Sequence, residues 1–216
     1  MIDWIGMAPI DLEVGRIFCM GGNYKDHQKE MDAVQKTPSV FVKVPGSLIN
    51  GNRIIEYPQD TENFHFEGEL VLLLGPLATE GCPTFQDVVG ITAGLDLTKR
   101  DVQQNAKKKG RPWEMSKSFP GSARLAPFVP TAGVGRWKDL NLVTKLDGEV
   151  RQTAYLADMI MGPDEILAYI NEWMPLKAGD LIFTGTPKGV GPLKCGENIC
   201  VELDGYTSRS WEVVQV

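Results

Sequence analysis

Residues 64–75, FHFEGELVLLLG, have the composition of a buried β-strand with two carboxylates at its start. Glu67 and Glu69 are two positions apart, so on a strand both side chains point to one face while Gly68 and Leu70 point to the other. Two close anions withdrawn from water raise the pKa of one of them unless a cation neutralises them. The pair therefore indicates a cation site, although two exposed glutamates on a solvated strand face give the same pattern.

Short β-type runs separated by Gly and Pro continue on both sides of this segment. We predict helices over 24–34, 98–109 and 163–173, and the Asp147-Gly148 pair predicts a type I′ hairpin. Together these patterns predict one β-rich α+β domain over the 216 residues, with residues 1–16 allowing for a short N-terminal extension. The predicted strands are 14–20, 39–44, 67–74, 90–97, 141–146, 149–155, 180–185, 197–203 and 206–214.

Charge and composition narrow the function classes. With a formal net charge of −6, the chain offers no basic field for nucleic acid or an anionic membrane, and we interpret the run at 107–109 as a solvated helix face. We find neither a secretory signal nor an apolar run long enough to span a membrane. The four cysteines form no C-x-x-C pair, which favours reduced thiols. We therefore expect a cytoplasmic protein that acts on a small molecule.

A third carboxylate lies in GLDLTKRDVQ, residues 94–103, where Asp96 interrupts an apolar run before a helical pattern. An acid at this position either caps the following helix or serves as a ligand. With Glu67 and Glu69 it would form an all-oxygen site suited to Mg²⁺ or Mn²⁺, with positions left for a chelating substrate.

Two further clusters supply candidate catalytic groups. On a helix, His27 and Glu30 share a face, so the carboxylate can orient the imidazole, although a surface His–Glu pair has the same spacing. Lys117 lies among small and apolar residues and would hold an anion or stabilise an enolate, or else extend to the surface. The turn TGTPKG, residues 184–189, presents hydroxyl and N–H groups for a carboxylate. We interpret His65 as structural or as a residue that supports the neighbouring acids.

The order of these clusters resembles the fumarylacetoacetate hydrolase family, and more narrowly its short single-domain acylpyruvase and oxaloacetate decarboxylase members. The likeness covers nearly the whole chain from about Ile17. The matching residues are Gly21, Asn23, Tyr24, His27, Glu30; Glu67, Glu69, Leu70; Leu95, Asp96, Leu97, Thr98, Arg100, Asp101, Gln103; Lys117, Phe119; and Thr184, Gly185, Thr186, Pro187, Gly189, Val190, Gly191.

The resemblance implies a mixed β-sandwich roll, a homodimer, and Mg²⁺ or Mn²⁺ held by Glu67, Glu69 and Asp96. It also implies a His–Glu dyad on a segment that orders over the bound substrate. We accordingly assign catalytic roles to His27, Glu30, Lys117 and Gln103, and substrate contacts to Thr184, Gly185, Arg100 and Lys43.

Three reactions fit these parts. The leading hypothesis is an acylpyruvate hydrolase, in which His27, oriented by Glu30, activates water, and Lys117 with Gln103 supports the developing oxyanion. The alternatives are an oxaloacetate decarboxylase, which needs no water, and an isomerase or decarboxylase of unsaturated 2-oxo diacids in aromatic catabolism. A metal-binding protein without turnover and a nucleic-acid binder are the non-enzymatic alternatives.

Overall fold

A computed structural model describes residues 2–6, 8, 10–30, 38–76 and 81–215, with Glu30 described by its backbone only. Its three α-helices are α1 (Lys25–Glu30), α2 (Arg100–Lys108) and α3 (Pro163–Trp173). Its strands are β1 (Ile17–Gly21), β2 (Ser39–Lys43), β3 (Ile54–Tyr57), β4 (Phe64–Phe66), β5 (Gly68–Leu74), β6 (Val88–Asp96), β7 (Thr98–Lys99), β8 (Ala123–Leu125), β9 (Val129–Pro130), β10 (Asn141–Leu146), β11 (Glu149–Tyr155), β12 (Leu181–Phe183), β13 (Gly191–Pro192), β14 (Asn198–Leu203) and β15 (Thr207–Gln215).

Strand β5 lies inside a mixed seven-stranded sheet, in the order β2-β1-β12-β5-β6-β8 with β9 paired to β6. Every residue of β5 is buried. Its alternate side chains enter two different cores: Leu70, Leu72 and Leu74 pack in one, and Val71 and Leu73 in the other. Because both faces of the strand are covered, its sequence is continuously apolar rather than alternating.

A second sheet, in the order β11-β10-β14-β15-β3, packs on one face of the first. Its strands alternate buried and more exposed residues, as β10 does with Leu142, Thr144 and Leu146 buried. The sequence pattern in these strands is therefore amphipathic. Helix α3 adds Ile166 and Ile170 to the same core. The prediction of a β-rich α+β fold is confirmed.

The predicted hairpin at Asp147-Gly148 is confirmed, since both residues have positive φ, 49° and 82°, as a type I′ turn requires. Helix 163–173 is also confirmed. Of the predicted helix 24–34, the structure describes α1, and residues 31–34 lie outside the described residues. The predicted strand 14–20 begins only at Ile17.

Six short strands, β3, β4, β7, β8, β9 and β13, were not predicted. Each has two to four residues, and each is defined by pairing with a strand elsewhere in the chain, which local pattern does not reveal. Strands β13, β4 and β7 form a third, small sheet that leads into Glu67. All four cysteines are free. Within the described ranges, no helix has both the length and the apolar character needed to cross a membrane.

Candidate metal centre and active site

Three carboxylates converge beside the middle of the seven-stranded sheet. Glu67 precedes β5, Glu69 lies within β5, and Asp96 ends the neighbouring strand β6. One oxygen from each residue lies within 4.8 Å of the others. The side chains are buried, with exposures of 5%, 1% and 0% respectively. The antiparallel pairing of β5 with β6, which places Gly68 opposite Leu95, brings the three together.

Two cations contact Glu67. Lys117 Nζ donates to Glu67 Oε2 at 2.6 Å and to Asp96 Oδ2 at 2.6 Å, so one ammonium group joins two of the three acids. The Arg100 guanidinium donates to Glu67 Oε1. Burial opposes ionisation of Glu67, but Lys117 and Arg100 outweigh burial and hold the pKa of its carboxyl below the ordinary value. Glu67 is therefore charged.

A third cation, Lys43, faces Asp96. Its Nζ lies 2.8 Å from Asp96 Oδ1 as an ion pair and also donates to the backbone oxygen of Lys117. The contact with Oδ1 lacks hydrogen-bond geometry, which leaves that oxygen without a hydrogen bond among the described residues. Lys43, predicted to contact substrate, is thus directed at the triad. Whether it also contacts substrate stays a prediction.

Glu69 differs from the other two acids. Its Oε2 accepts a hydrogen bond of 2.8 Å from the Gly185 N–H. No lysine or arginine forms an ion pair with it in the described part of the chain. Burial, together with the neighbouring Asp96 and Glu67 carboxylates, raises the pKa of Glu69 well above its ordinary value. An additional cation would favour the ionised form of this carboxylate.

The residues present fit a divalent metal ion. The three buried carboxylates offer hard oxygen ligands of the kind that Mg²⁺ and Mn²⁺ prefer. Glu69 lacks a cationic partner and Asp96 Oδ1 lacks a hydrogen bond among the described residues. Glu67, Glu69 and Asp96 are thus the residues that would hold the ion.

The structure places His27 in α1, with 7% of its surface exposed. A positive charge on its imidazole would lower the pKa of the Glu67 carboxyl. The imidazole therefore lies within electrostatic range of the triad. The side chain of Glu30 lies outside the described residues, so the His27–Glu30 dyad stays a prediction.

Helix α2 contributes two of the predicted site residues. Arg100 and Gln103 are one helical turn apart and both buried. The Arg100 guanidinium donates to Gln103 Oε1 at 2.8 Å as well as to Glu67. Gln103 is thereby held beside the triad through Arg100. The catalytic role assigned to Gln103 and the substrate contact assigned to Arg100 stay predictions.

The TGTP turn is fixed to β5 rather than open. Thr184 donates from both its N–H and its Oγ1 to the Leu70 oxygen, each at 3.0 Å, and the Gly185 N–H donates to Glu69. A Cβ on Gly185 would lie 2.7 Å from Asn23 Cβ, and its φ is +97°, so glycine is required here. In this structure the turn supports a metal-ligand candidate; substrate contacts by Thr184 and Gly185 stay predictions.

Asn23 and Gln152 are two site-supporting residues to which the sequence analysis assigned no role. The fully buried Asn23 amide donates to Thr184 O at 2.8 Å and Met161 O at 3.0 Å, and it accepts from Met161 N–H at 2.8 Å. Asn23 thereby anchors the turn to the end of β1. Asn23 is among the residues that match the family, together with Gly21 and Tyr24, whereas no local pattern indicated Gln152.

His65 lies in β4, and its role as a structural or ligand-supporting residue stays a prediction. Its Nε2 forms a 2.8 Å hydrogen bond with Asn63 Oδ1. Burial, followed by the charge of Arg100, lowers the pKa of His65 to about 4, so the ring is neutral near pH 7.

The chain matches the family model "Fumarylacetoacetate (FAA) hydrolase C-terminal" over residues 16–214, and it belongs to that family. It is 38% identical over 209 residues to oxaloacetate tautomerase YcgM from Escherichia coli, covering 95% of each chain. It is 38% identical over 200 residues to the mitochondrial oxaloacetate tautomerase FAHD1 from Homo sapiens, covering 91% of this chain and 90% of that protein. Its structure resembles that of fumarylpyruvate hydrolase from Pseudomonas aeruginosa in complex with Mn²⁺ and pyruvate, with a TM-score of 0.88, 33% identity and 99% coverage of both chains.

Proposed function

We propose that this protein is a divalent-metal-dependent enzyme that interconverts the keto and enol forms of oxaloacetate. The observation that carries the proposal is the charge balance of the buried cluster. The three carboxylates of the triad face three cations, which are Lys43, Arg100 and Lys117. A divalent ion added to this set leaves two uncompensated positive charges in a buried site.

A ligand with two negative charges neutralises that excess, and uncompensated buried charge is unfavourable. Oxaloacetate carries two carboxylates in addition to its 2-oxo group, whereas an acylpyruvate with a neutral acyl group carries one carboxylate. The charge balance therefore favours a small 2-oxo diacid. The names of the relatives from E. coli and H. sapiens support the same substrate.

A divalent ion, when bound, would polarise the 2-oxo group and make the protons of the adjacent carbon more acidic. The chain supplies the proton transfers. His27 is a buried imidazole within electrostatic range of Glu67, and imidazole is the commonest general acid–base group in enzymes. It would remove a proton from C3 of the keto acid, while Lys117 supports the negative charge that develops on the 2-oxo oxygen.

Tautomerisation conserves all atoms of the substrate. One proton leaves C3, one proton reaches the 2-oxo oxygen, and no water is consumed. Burial lowers the pKa of Lys117, but the negative charges of Asp96 and Glu67 outweigh burial and raise this pKa above its ordinary value. Lys117 therefore stays charged as the oxyanion forms. Arg100 and Gln103 are the buried polar residues that α2 contributes to the site.

Hydrolysis of an acylpyruvate is the second candidate. The similarity to the P. aeruginosa fumarylpyruvate hydrolase favours it, and fumarylpyruvate is also a dianion, so the charge balance admits both substrates. The two reactions differ in the use of water: a hydrolase needs His27 to deprotonate a water molecule that attacks the distal carbonyl.

The decisive experiment follows two products in parallel. Chelator-stripped protein is reloaded with Mg²⁺ or Mn²⁺ and mixed with enol-oxaloacetate, fumarylpyruvate or acetylpyruvate. Enol loss is followed by ultraviolet absorbance, and pyruvate by coupling to lactate dehydrogenase. We expect rapid metal-dependent enol loss without pyruvate. Pyruvate release from either acylpyruvate at a higher kcat/KM would favour the hydrolase, and no metal-dependent turnover of any substrate would refute both.

A charge variant tests the argument about the dianion. Lys43→Met removes one of the three cations, so kcat/KM should fall more for oxaloacetate than for its 4-methyl ester, which has one charge fewer. Lys145→Met is the matched control, because Lys145 pairs with Glu202 in the second sheet at 3.0 Å. Equal losses for diacid and ester in Lys43→Met would contradict the charge argument.

A further inference from the structure

Gln152 reaches from the second sheet to the peptide that joins two metal-ligand candidates. It lies in β11, and only 1% of its surface is exposed. Its Oε1 accepts a hydrogen bond of 2.9 Å from Gly68 N–H, and Gly68 separates Glu67 from Glu69. Its Nε2 donates to Thr186 Oγ1 and to Pro187 O, each at 2.8 Å.

These contacts close into a ring. The Thr186 hydroxyl accepts from Gln152 and donates to Gly68 O at 2.9 Å. Both peptide groups of Gly68 are therefore fixed, the N–H by Gln152 and the carbonyl by Thr186. The same turn carries the Gly185 N–H, which donates to Glu69 Oε2 at 2.8 Å. One amide side chain thus links the Glu67–Glu69 backbone to the turn that supports Glu69.

A β-bulge brings Gln152 to this position. In the pairing of β10 with β11, Gln152 lies opposite Thr144 while Val150 lies opposite Lys145, so Arg151 is an extra residue. Bulges redirect side chains in this way and often lie next to functional sites. The end of the turn packs on the same bulge, since a Cβ on Gly189 would lie 2.0 Å from Arg151 O.

Gly68 makes the close approach of the two sheets possible. A Cβ at this position would lie 2.0 Å from Thr144 Oγ1 and 3.0 Å from Gln152 Oε1. Any larger residue would displace the Thr144 side chain and disturb the Gln152 contact. The absence of a side chain at Gly68 thus leaves the space that the Gln152 amide needs to reach the Gly68 N–H.

We propose that Gln152 is a positioning residue of the metal centre: it sets the separation of the Glu67 and Glu69 carboxylates and thereby the affinity for the divalent ion. This inference rests on the proposed metal-dependent function. The carbonyl oxygen and the NH₂ group of the amide are both used. An apolar side chain of similar size would leave buried Gly68 N–H and Pro187 O groups unsatisfied, which is costly.

Metal affinity is the readout, because it does not require turnover. Full-length, chelator-stripped protein is titrated with Mn²⁺ by calorimetry, and bound Mn²⁺ is examined by electron paramagnetic resonance. Gln152→Met should weaken Mn²⁺ binding by about 10–100-fold, the usual effect of removing a group that orients a ligand. Its bound-Mn²⁺ spectrum should also differ from that of the wild type.

Thr207→Val is the matched control for loss of a buried hydrogen bond. Thr207 is 4% exposed and donates to Pro127 O at 2.6 Å, outside the ring described above. This variant should lose thermal stability but keep the wild-type Kd for Mn²⁺. If Gln152→Met folds and binds Mn²⁺ as the wild type does, the positioning role is overturned while the proposed function stands. If the wild type binds no Mn²⁺, the proposed function itself fails.

A milder pair tests the ring even where Gln152→Met does not fold. Thr186→Val removes the hydroxyl that joins Gln152 to Gly68, whereas Thr186→Ser keeps it. We expect weakened Mn²⁺ binding in the valine variant and near wild-type binding in the serine variant. Wild-type affinity in both variants would overturn the inference.

Discussion

Lys117 Nζ lies 2.6 Å from Glu67 Oε2, although the two residues are 50 positions apart in the chain. The same ammonium group is 2.6 Å from Asp96 Oδ2. It therefore joins two of the carboxylates that would bind the metal ion. A lysine in this position has two separate effects on the enzyme. Its positive charge supports turnover by stabilising the oxyanion, and the same charge weakens metal binding by repelling a divalent cation.

Lys117→Met separates the two effects. Turnover should fall by on the order of 10²–10³-fold, the usual cost of removing one group that stabilises an oxyanion. Mn²⁺ affinity should stay at or above the wild-type value, because a competing positive charge is lost. Steady-state kinetics and calorimetry on the same preparation measure both quantities. A variant with full kcat would exclude an electrostatic role for this lysine in the reaction.

Removing a residue that only orients a metal ligand weakens metal binding by up to roughly 100-fold. Glu69→Ala removes a ligand candidate itself, so it should weaken Mn²⁺ binding by more than that. Glu69→Gln should weaken binding similarly while raising the thermal stability of chelator-stripped protein, because it removes a buried acid that lacks a cationic partner among the described residues. Calorimetry and thermal unfolding test the two statements. Unchanged affinity in both variants would remove Glu69 from the metal site.

His27→Asn should lower kcat by about 10²–10⁴-fold, the range contributed by a general acid–base group. Metal binding should persist, because the three carboxylates remain. Retention of wild-type kcat with either substrate class would mean that another group transfers the proton.

Asp101 gives a prediction for acid stability. Burial opposes its ionisation, but hydrogen bonds from the Thr61 hydroxyl and the Glu62 and Val102 N–H groups lower its pKa. A lowered carboxyl pKa stabilises the fold above the unfolded-state pKa, and this stabilisation is lost as pH falls through the folded-state pKa.

Asp101→Asn should therefore lower the free energy of unfolding by about 1 kcal/mol near neutral pH, a low value because the side chain is partly solvated. The difference from wild type should vanish in acid, below the ordinary carboxyl range. Urea unfolding across pH measures it. A difference that persists unchanged in acid would assign the effect to packing rather than to charge.

The local sequence pattern was sufficient to predict some secondary-structure elements and insufficient to predict others. The Asp147-Gly148 hairpin and α3 were predicted because turn chemistry and helix-start signals lie within a few consecutive residues. Strands such as β8 and β13 escaped prediction because two or three residues have no period of their own. In the site, the substrate contact of Lys43 stays a prediction, and no local pattern indicated that its ammonium group faces Asp96.

The order of motifs along the chain resembles one family, and this resemblance predicted the three acids and His27 as site residues, whereas spacing by itself showed only that Glu67 and Glu69 share one strand face. The sequence left open which cations face those acids and how the acids are held apart. Those contacts join β5 to a turn more than 100 positions later and to a bulge in another sheet. They arise only when distant segments pack, so the Gly185 N–H and the Gln152 amide acquire their roles from the folded chain.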